Sequence, residues 1–219
     1  MLVYNLSDAH HALLNISLRR LKVSRAKDLN DPFELLHFDL RDKRIRKLLQ
    51  EEKDRINNEL GVLCFSKSWS NPVLWSHYSD KHRGICLGFD VPDQLLVPIN
   101  YVSKMSRIPL RAGMPRAELS LVLNDQFFRT KFEDWRYENE VRAFVGLDHS
   151  TVEDGLYFSD FSAQLTLKEI VLGPRCELPI KRVIDLVASH SGAVNVRKSR
   201  IAFTKFSVVE DRRYRRAKA

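Results

Sequence analysis

The order in which strand-like and helix-like stretches follow one another constrains this chain more than any single motif. Short apolar runs of strand length lie at residues 2–6, 18–24, 62–66, 84–89, 137–145 and 165–172, with two more near Val194 and Phe206. Helix-like stretches fall unevenly between them. Ser7 or Asp8 can cap a helix running to about Ile16, and residues 40–60 place Leu40, Ile45, Leu48, Leu49, Ile56 and Leu60 at near-helical spacing among charges. Gly61 is placed to end that second helix. Asn71-Pro72 opens a helix carrying Leu74, Trp75 and Tyr78; residues 116–132 and 179–190 supply two more. The polar turn Asp28-Leu29-Asn30-Asp31-Pro32 reads as an ordered loop. A doubly wound parallel sheet needs regular β-then-α alternation, which is missing. The expected class is α+β, a mixed sheet with flanking helices.

With 219 residues and 44% hydrophobic content, the chain can bury one core, expected over 1–209, followed by a basic tail at 210–219. No apolar run approaches the roughly 20 residues of a membrane-spanning helix, and the start lacks the pattern of a secretion signal. Cys64, Cys86 and Cys176 are odd in number and widely spaced, which suits free thiols in a reducing compartment. A cytoplasmic protein with no membrane partner is the expectation. The net charge of +8 is consistent with a nucleic-acid partner, yet the basic residues of 41–55 alternate with Asp42, Glu51, Glu52 and Asp54, as on a solvated helix face. Much of the excess sits in Arg212, Arg213, Arg215, Arg216 and Lys218, where a solvated terminus and a phosphate or acidic contact are both open.

Two constellations could carry chemistry. On a strand through Trp135-Arg136-Tyr137-Glu138-Asn139-Glu140-Val141-Arg142, the period of two puts Glu138, Glu140, Arg142 and Phe144 on one face. An arginine fork can hold one carboxylate while the second binds a hydroxyl or acts as a base; a solvated face of mutually paired charges is the plainer alternative. The second is Phe65-Ser66-Lys67-Ser68-Trp69-Ser70-Asn71-Pro72, continuing to Trp75, His77 and Tyr78. A strand that ends in serines and opens onto a helix can gather hydroxyls, N–H groups and aromatic walls around an anionic ligand with a ring, although Trp69, Trp75 and Tyr78 also suit simple packing. His77 and His82, five apart, miss the one-turn spacing of a metal pair, so no metal is expected. Cys64 sits in an apolar run and reads as a buried thiol. Nucleophile-elbow, P-loop and dinucleotide-binding glycine patterns are missing from the sequence.

Asn30-Asp31-Pro32-Phe33-Glu34, Leu63-Cys64-Phe65-Ser66, Leu74-Trp75-Ser76-His77-Tyr78, His82-Arg83-Gly84, Cys86-x-Gly88-Phe89, Trp135-x-x-Glu138-x-Glu140-x-Arg142 and Glu169-Ile170-Val171-Leu172-Gly173 occur in an order that resembles the bacterial family known as domain of unknown function 2971. That family implies a fold and motif positions and no activity. A looser likeness connects the layout with ADP-ribosyltransferases, which bind NAD in the cleft of a split mixed sheet. The likeness implies NAD as substrate, Ser66 and Ser68 near the nicotinamide-side ribose, and Glu140 as the carboxylate that orients ribose and acceptor with Glu138 beside it. Tyr4 would lie on the opening strand, Trp75 or Tyr78 would stack on a ring, and Arg142 would hold a carboxylate or touch a phosphate. Asn5 stands where such enzymes carry a basic residue. The acceptor would be a protein or nucleic acid, as for a toxin or defence effector. A non-catalytic nucleic-acid or protein-binding module, and a metal-dependent nuclease using Glu138 and Glu140, are the other readings left open.

Overall fold

The computed structural model describes residues 1–31, 33, 38, 41, 43–106, 115, 118, 129–188 and 192–214. Their order is β1 (Leu2–Ser7), α1 (Ala9–Leu18), β2 (Arg20–Arg25), α2 (Lys43–Glu59), β3 (Leu60–Ser66), α3 (Pro72–Tyr78), β4 (Ile85–Asp90), β5 (Val97–Pro98), β6 (Asn100–Val102), β7 (Thr130–Phe132), β8 (Glu140–Gly146), β9 (Thr151–Glu153), β10 (Leu156–Asp160), β11 (Thr166–Leu172), α4 (Ile180–Val187), β12 (Asn195–Ile201) and β13 (Val208–Glu210). The class is α+β, with a large mixed sheet and few helices. Among the described residues that sheet has eleven strands, running β13-β12-β11-β4-β1-β3-β2-β10-β9, with β8 on β3 and β5 on β8. Its pairings are antiparallel except β11 with β12, which α4 connects. β6 and β7 form a separate parallel pair.

Helix ends follow local chemistry. Asp8 caps α1 by accepting from His11 N at 3.0 Å, and Arg19 at φ 52° ends it. Asn71 caps α3, accepting from Val73 N at 2.9 Å, with Pro72 in the first turn. Gly61, expected to stop α2, is instead the second residue of β3, where a Cβ would lie 2.2 Å from Val23 Cγ1. Helix passes directly into strand at Glu59 and Leu60, and the side chains of Val23 on the paired β2 and of Leu147 fill the space a Gly61 side chain would need. The helix expected over 116–132 lies mostly outside the described residues, and its last part, Thr130–Phe132, is the strand β7. The strand expected from Tyr137 begins only at Glu140, because Glu133–Glu138 forms a 3-10 turn. The run near Phe206 is a loop, and the strand after it starts at Val208.

Successive residues of each central strand feed opposite faces of the sheet, as the two-residue period requires. Val3, Leu87 and Ile170 join Ala12 and Ile16 of α1 and Val183 and Val187 of α4 in the larger core. Tyr4, Cys86 and Val171 face the other way, against Trp75 of α3 and Val208 of β13. After α3, Asp80, Lys81 and His82 all adopt positive φ, turning the chain back into β4. Gly84 then lies close enough to Gly173 for the Gly173 N–H to donate to its carbonyl at 2.9 Å. No described helix is long and apolar enough to cross a membrane. Glu210 belongs to β13, and a turn over Arg212–Tyr214 follows, so sheet structure runs into the first residues of the basic tail; 215–219 lie outside the described residues.

Candidate functional site

A row of three side chains crosses the middle of the sheet. Tyr4 of β1 is the register partner of Ser66 of β3, and Ser66 is the partner of Glu140 of β8. β3 and β8 stay paired from Leu60 opposite Gly146 to this row, whereas β1 and β3 pair at Tyr4 and Ser66 alone. The sheet therefore divides between β1 and β3, and Asn5 Nδ2 bridges the division by donating to the Cys64 carbonyl at 3.2 Å. A cleft of about 240 Å³ opens there, lined by Tyr4, Ser66, Tyr78, Lys131, Glu138 and Glu140 among others. A larger cavity of about 300 Å³, bounded by Arg19, Phe161 and Val194, lies apart and holds no carboxylate among its described lining.

Two residues along the same face, Arg142 stands opposite Cys64. Its guanidinium forks onto Glu140, Nε to Oε1 at 2.6 Å and Nη2 to Oε2 at 3.2 Å, and Arg142 is fully buried. Glu138 reaches the same cleft by another route. It is the last residue of the 3-10 turn, and Asn139 at φ 46° swings the chain into β8, so both carboxylates point inward across a left-handed residue. Ser66 holds that turn, its Oγ 2.6 Å from the Glu138 carbonyl and 2.8 Å from the Ser68 carbonyl. The Tyr78 hydroxyl donates to Glu138 Oε1 and accepts from Asn30 Nδ2 at 2.8 Å.

Lys131 lies between the acids. Its Nζ is 2.6 Å from Glu138 Oε2 and 3.2 Å from Glu140 Oε2, and 4.8 Å from the centre of the Trp135 ring. β7 carries it inward, and Tyr101 on the adjoining β6 accepts from the Glu140 N–H at 2.8 Å. The two carboxyls consequently diverge. Burial raises Glu138 above the ordinary glutamate range, against the pull of Lys131 and Tyr78. Burial also opposes ionisation of Glu140, yet Arg142 and Lys131 outweigh it and bring Glu140 down to about 2. Environments that push two acids apart in this way are characteristic of acid–base sites and also occur in structural ion-pair clusters. Burial lifts Tyr78 far above its usual range as well, with the Glu138 charge adding to it, and holds Tyr137 and Tyr101 near 12.

Of the residues singled out by sequence, Tyr4, Ser66, Tyr78, Glu138, Glu140 and Arg142 line this one cleft. Ser68 and Trp75 do not. Ser68 Oγ is 2.9 Å from Ser70 Oγ, shaping the turn before α3. Trp75 is wholly buried in the packing between α3 and the sheet, with Nε1 donating to the Trp69 carbonyl at 2.5 Å, so its ring cannot stack on a ligand. Trp135, Tyr137 and His77 form a separate aromatic cluster that is not part of the cleft lining, the last two joined by a 2.7 Å contact between Nδ1 and the hydroxyl. Burial, with the Glu169 carboxylate adding to it, lifts the Tyr4 hydroxyl far above its usual range. Cys64 is half-buried in the cleft wall and its thiol bonds to Glu140, where a fully buried thiol was expected. Lys131 and Asn30 were missed. The helical reading of 116–132 hid β7, and nothing in Thr130-Lys131-Phe132 itself marks Lys131 for burial, since Phe132 beside it is the exposed residue.

Comparison of the chain with family models, with characterised proteins and with solved structures finds no match.

Proposed function

We propose that this chain is an ADP-ribosyltransferase-like enzyme that uses NAD as its substrate. The observation that carries the reading is the row Tyr4, Ser66, Glu140 on three neighbouring strands at the point where the sheet divides. At about 240 Å³ the cleft is below the roughly 300–1,000 Å³ usual for whole drug-sized ligands. It suits the nicotinamide and its ribose, with the rest of the dinucleotide outside.

In the proposed step the bond between the ribose anomeric carbon and the nicotinamide nitrogen breaks, and its electron pair leaves with the nitrogen, which becomes neutral. Positive charge develops on the ribose. Glu140, held ionised by Arg142 and Lys131, supplies fixed negative charge on that side of the cleft. An acceptor nucleophile bonds to the same carbon and gives its proton to Glu138, whose raised pKa makes its ionised form the stronger base of the pair. Ser66 acts through the backbone it holds, and of the two rings expected to stack, Trp75 or Tyr78, the part falls to Tyr78, which lines the cleft. Lys131 sits between the two carboxylates, where the nuclease reading would need a divalent ion, so the geometry favours the transferase.

The test is nicotinamide release from labelled NAD, to water and to proteins or nucleic acids of a lysate. Wild type is expected to release it, and folded Glu138→Gln to be slower by about 10²–10⁴. No release and no label transfer by wild type would remove the enzymatic reading and favour a non-catalytic module.

A further inference from the structure

The hairpin between β12 and β13 ends in an uncovered apolar tip. Phe206 is fully exposed, Phe203 is 88% exposed and Ile201 59% exposed. Isolated exposed hydrophobics are ordinary, whereas three within six residues form a patch that asks for a partner. The tip is built, since Ala202 N donates to the Ser207 carbonyl at 2.9 Å to close it. Val208 N and Ser207 Oγ both donate to the Ser70 carbonyl, at 2.8 and 3.3 Å, fastening the hairpin to the turn before α3. Its charge is basic. Residues 195–214 hold six Lys and Arg against Glu210 and Asp211. Both acids are engaged, Asp211 by Arg213 at 2.6 Å and Glu210 near Arg197 at 3.9 Å. Lys205 lies between the two phenylalanines, and the Arg200 guanidinium covers one face of Phe203 at 4.4 Å.

We propose that this tip inserts into the headgroup region of an anionic lipid bilayer. A projecting loop of phenylalanine and isoleucine can enter a soft interface that needs no matching pocket, while Arg200 and Lys205 reach back to the phosphates. A second copy of the chain is a poorer occupant, because docking tip to tip would bring like charges together. Single-stranded nucleic acid fits less well, since stacking needs open ring faces; one face of Phe203 is taken and Ile201 has none. The contact is peripheral. It limits the expectation of no membrane partner, which rested on the lack of a spanning segment, to the crossing of a bilayer.

The experiment is sedimentation of the full chain with vesicles of phosphatidylcholine alone or mixed with phosphatidylglycerol. Binding is expected to the mixed vesicles only and to weaken with salt. Phe203→Ser with Phe206→Ser should lower the affinity at least about tenfold, with the melting temperature unchanged because neither ring packs against the core. Phe206→Trp should keep binding and shift its emission to the blue on the vesicles. The proposal is overturned if wild type ignores anionic vesicles, if the double serine variant binds as well as wild type, or if the bound tryptophan emission stays unshifted. Phenylalanine-dependent binding to poly-deoxythymidine tighter than to vesicles would replace it with a nucleic-acid site.

Discussion

Lys131 and Glu138 form a buried ion pair, Nζ to Oε2 at 2.6 Å, with their side chains 3% and 6% exposed. The same ammonium is what allows Glu138 and Glu140 to share one cleft. Removing it from Lys131→Met leaves Glu138 buried without a cation and exposes the two acids to each other. The expected loss of stability is about 3–5 kcal/mol, as for other broken buried pairs. Urea unfolding measures it, and adding Glu138→Gln to Lys131→Met should recover part of the loss. Strict additivity of the two substitutions would mean that they do not interact.

Glu140 and Glu138 should give stability opposite pH dependences. Glu140 is lowered to about 2 from the ordinary glutamate value of 4.5, so its contribution is complete above about 4.5 and is lost as the pH falls toward 2. Glu138 is raised, so its contribution is complete below about 4.5 and is lost as the pH rises through its folded value. Urea midpoints measured from pH 2 to 7 should rise less steeply between 2 and 5 in Glu140→Gln than in wild type, a difference on the order of 3 kcal/mol. Glu138→Gln should gain on wild type as the pH climbs above about 4.5.

Much of the architecture was legible because strand-length runs and caps are local signals. Asp8, Asn71-Pro72 and the apolar runs that became β1, β3, β4 and β11 are examples. Ser66 and Glu140 were also legible, because each lies on a strand-length run of recognisable pattern. What failed depended on tertiary context. Trp75 and Tyr78 lie three apart on α3, and only the packing of that helix decides that one ring is sealed while the other hydroxyl meets Glu138. Asn139 in a left-handed turn gave Glu138 the orientation expected of a strand through a different backbone. Lys131 is stable inside only because two acids from elsewhere in the chain meet it, a fact with no local signature.

Gly84 and Gly155 should respond to alanine for different reasons. A Cβ on Gly84 would lie 2.0 Å from the Ser7 carbonyl oxygen and 2.5 Å from Ser79 Oγ, so backbone of β1 would have to move. Gly155 has open space around it and φ of +75°, leaving only conformational strain. Thermal melting should show Gly84→Ala losing about 1–3 kcal/mol or more, and Gly155→Ala roughly 1 kcal/mol. Equal losses would mean that the close approach at Gly84 relaxes freely.

Tyr78→Phe tests the proton chemistry assigned to Glu138. The hydroxyl donates to Glu138 Oε1 and so favours its ionised form, while burial acts the other way. Removing the donor should raise the Glu138 pKa further. If Glu138 accepts the proton of the acceptor, the acidic limb of the pH–rate profile for nicotinamide release moves to higher pH in Tyr78→Phe, by up to about one unit, and the plateau falls by less than in Glu138→Gln. The ring remains to fill its place beside Leu74 in the cleft wall, so the fold should be retained. Rates across pH for wild type and Tyr78→Phe, with the melting temperature as control, decide the matter; a limb that stays where it is would leave Tyr78 a purely structural partner of Asn30 and Glu138.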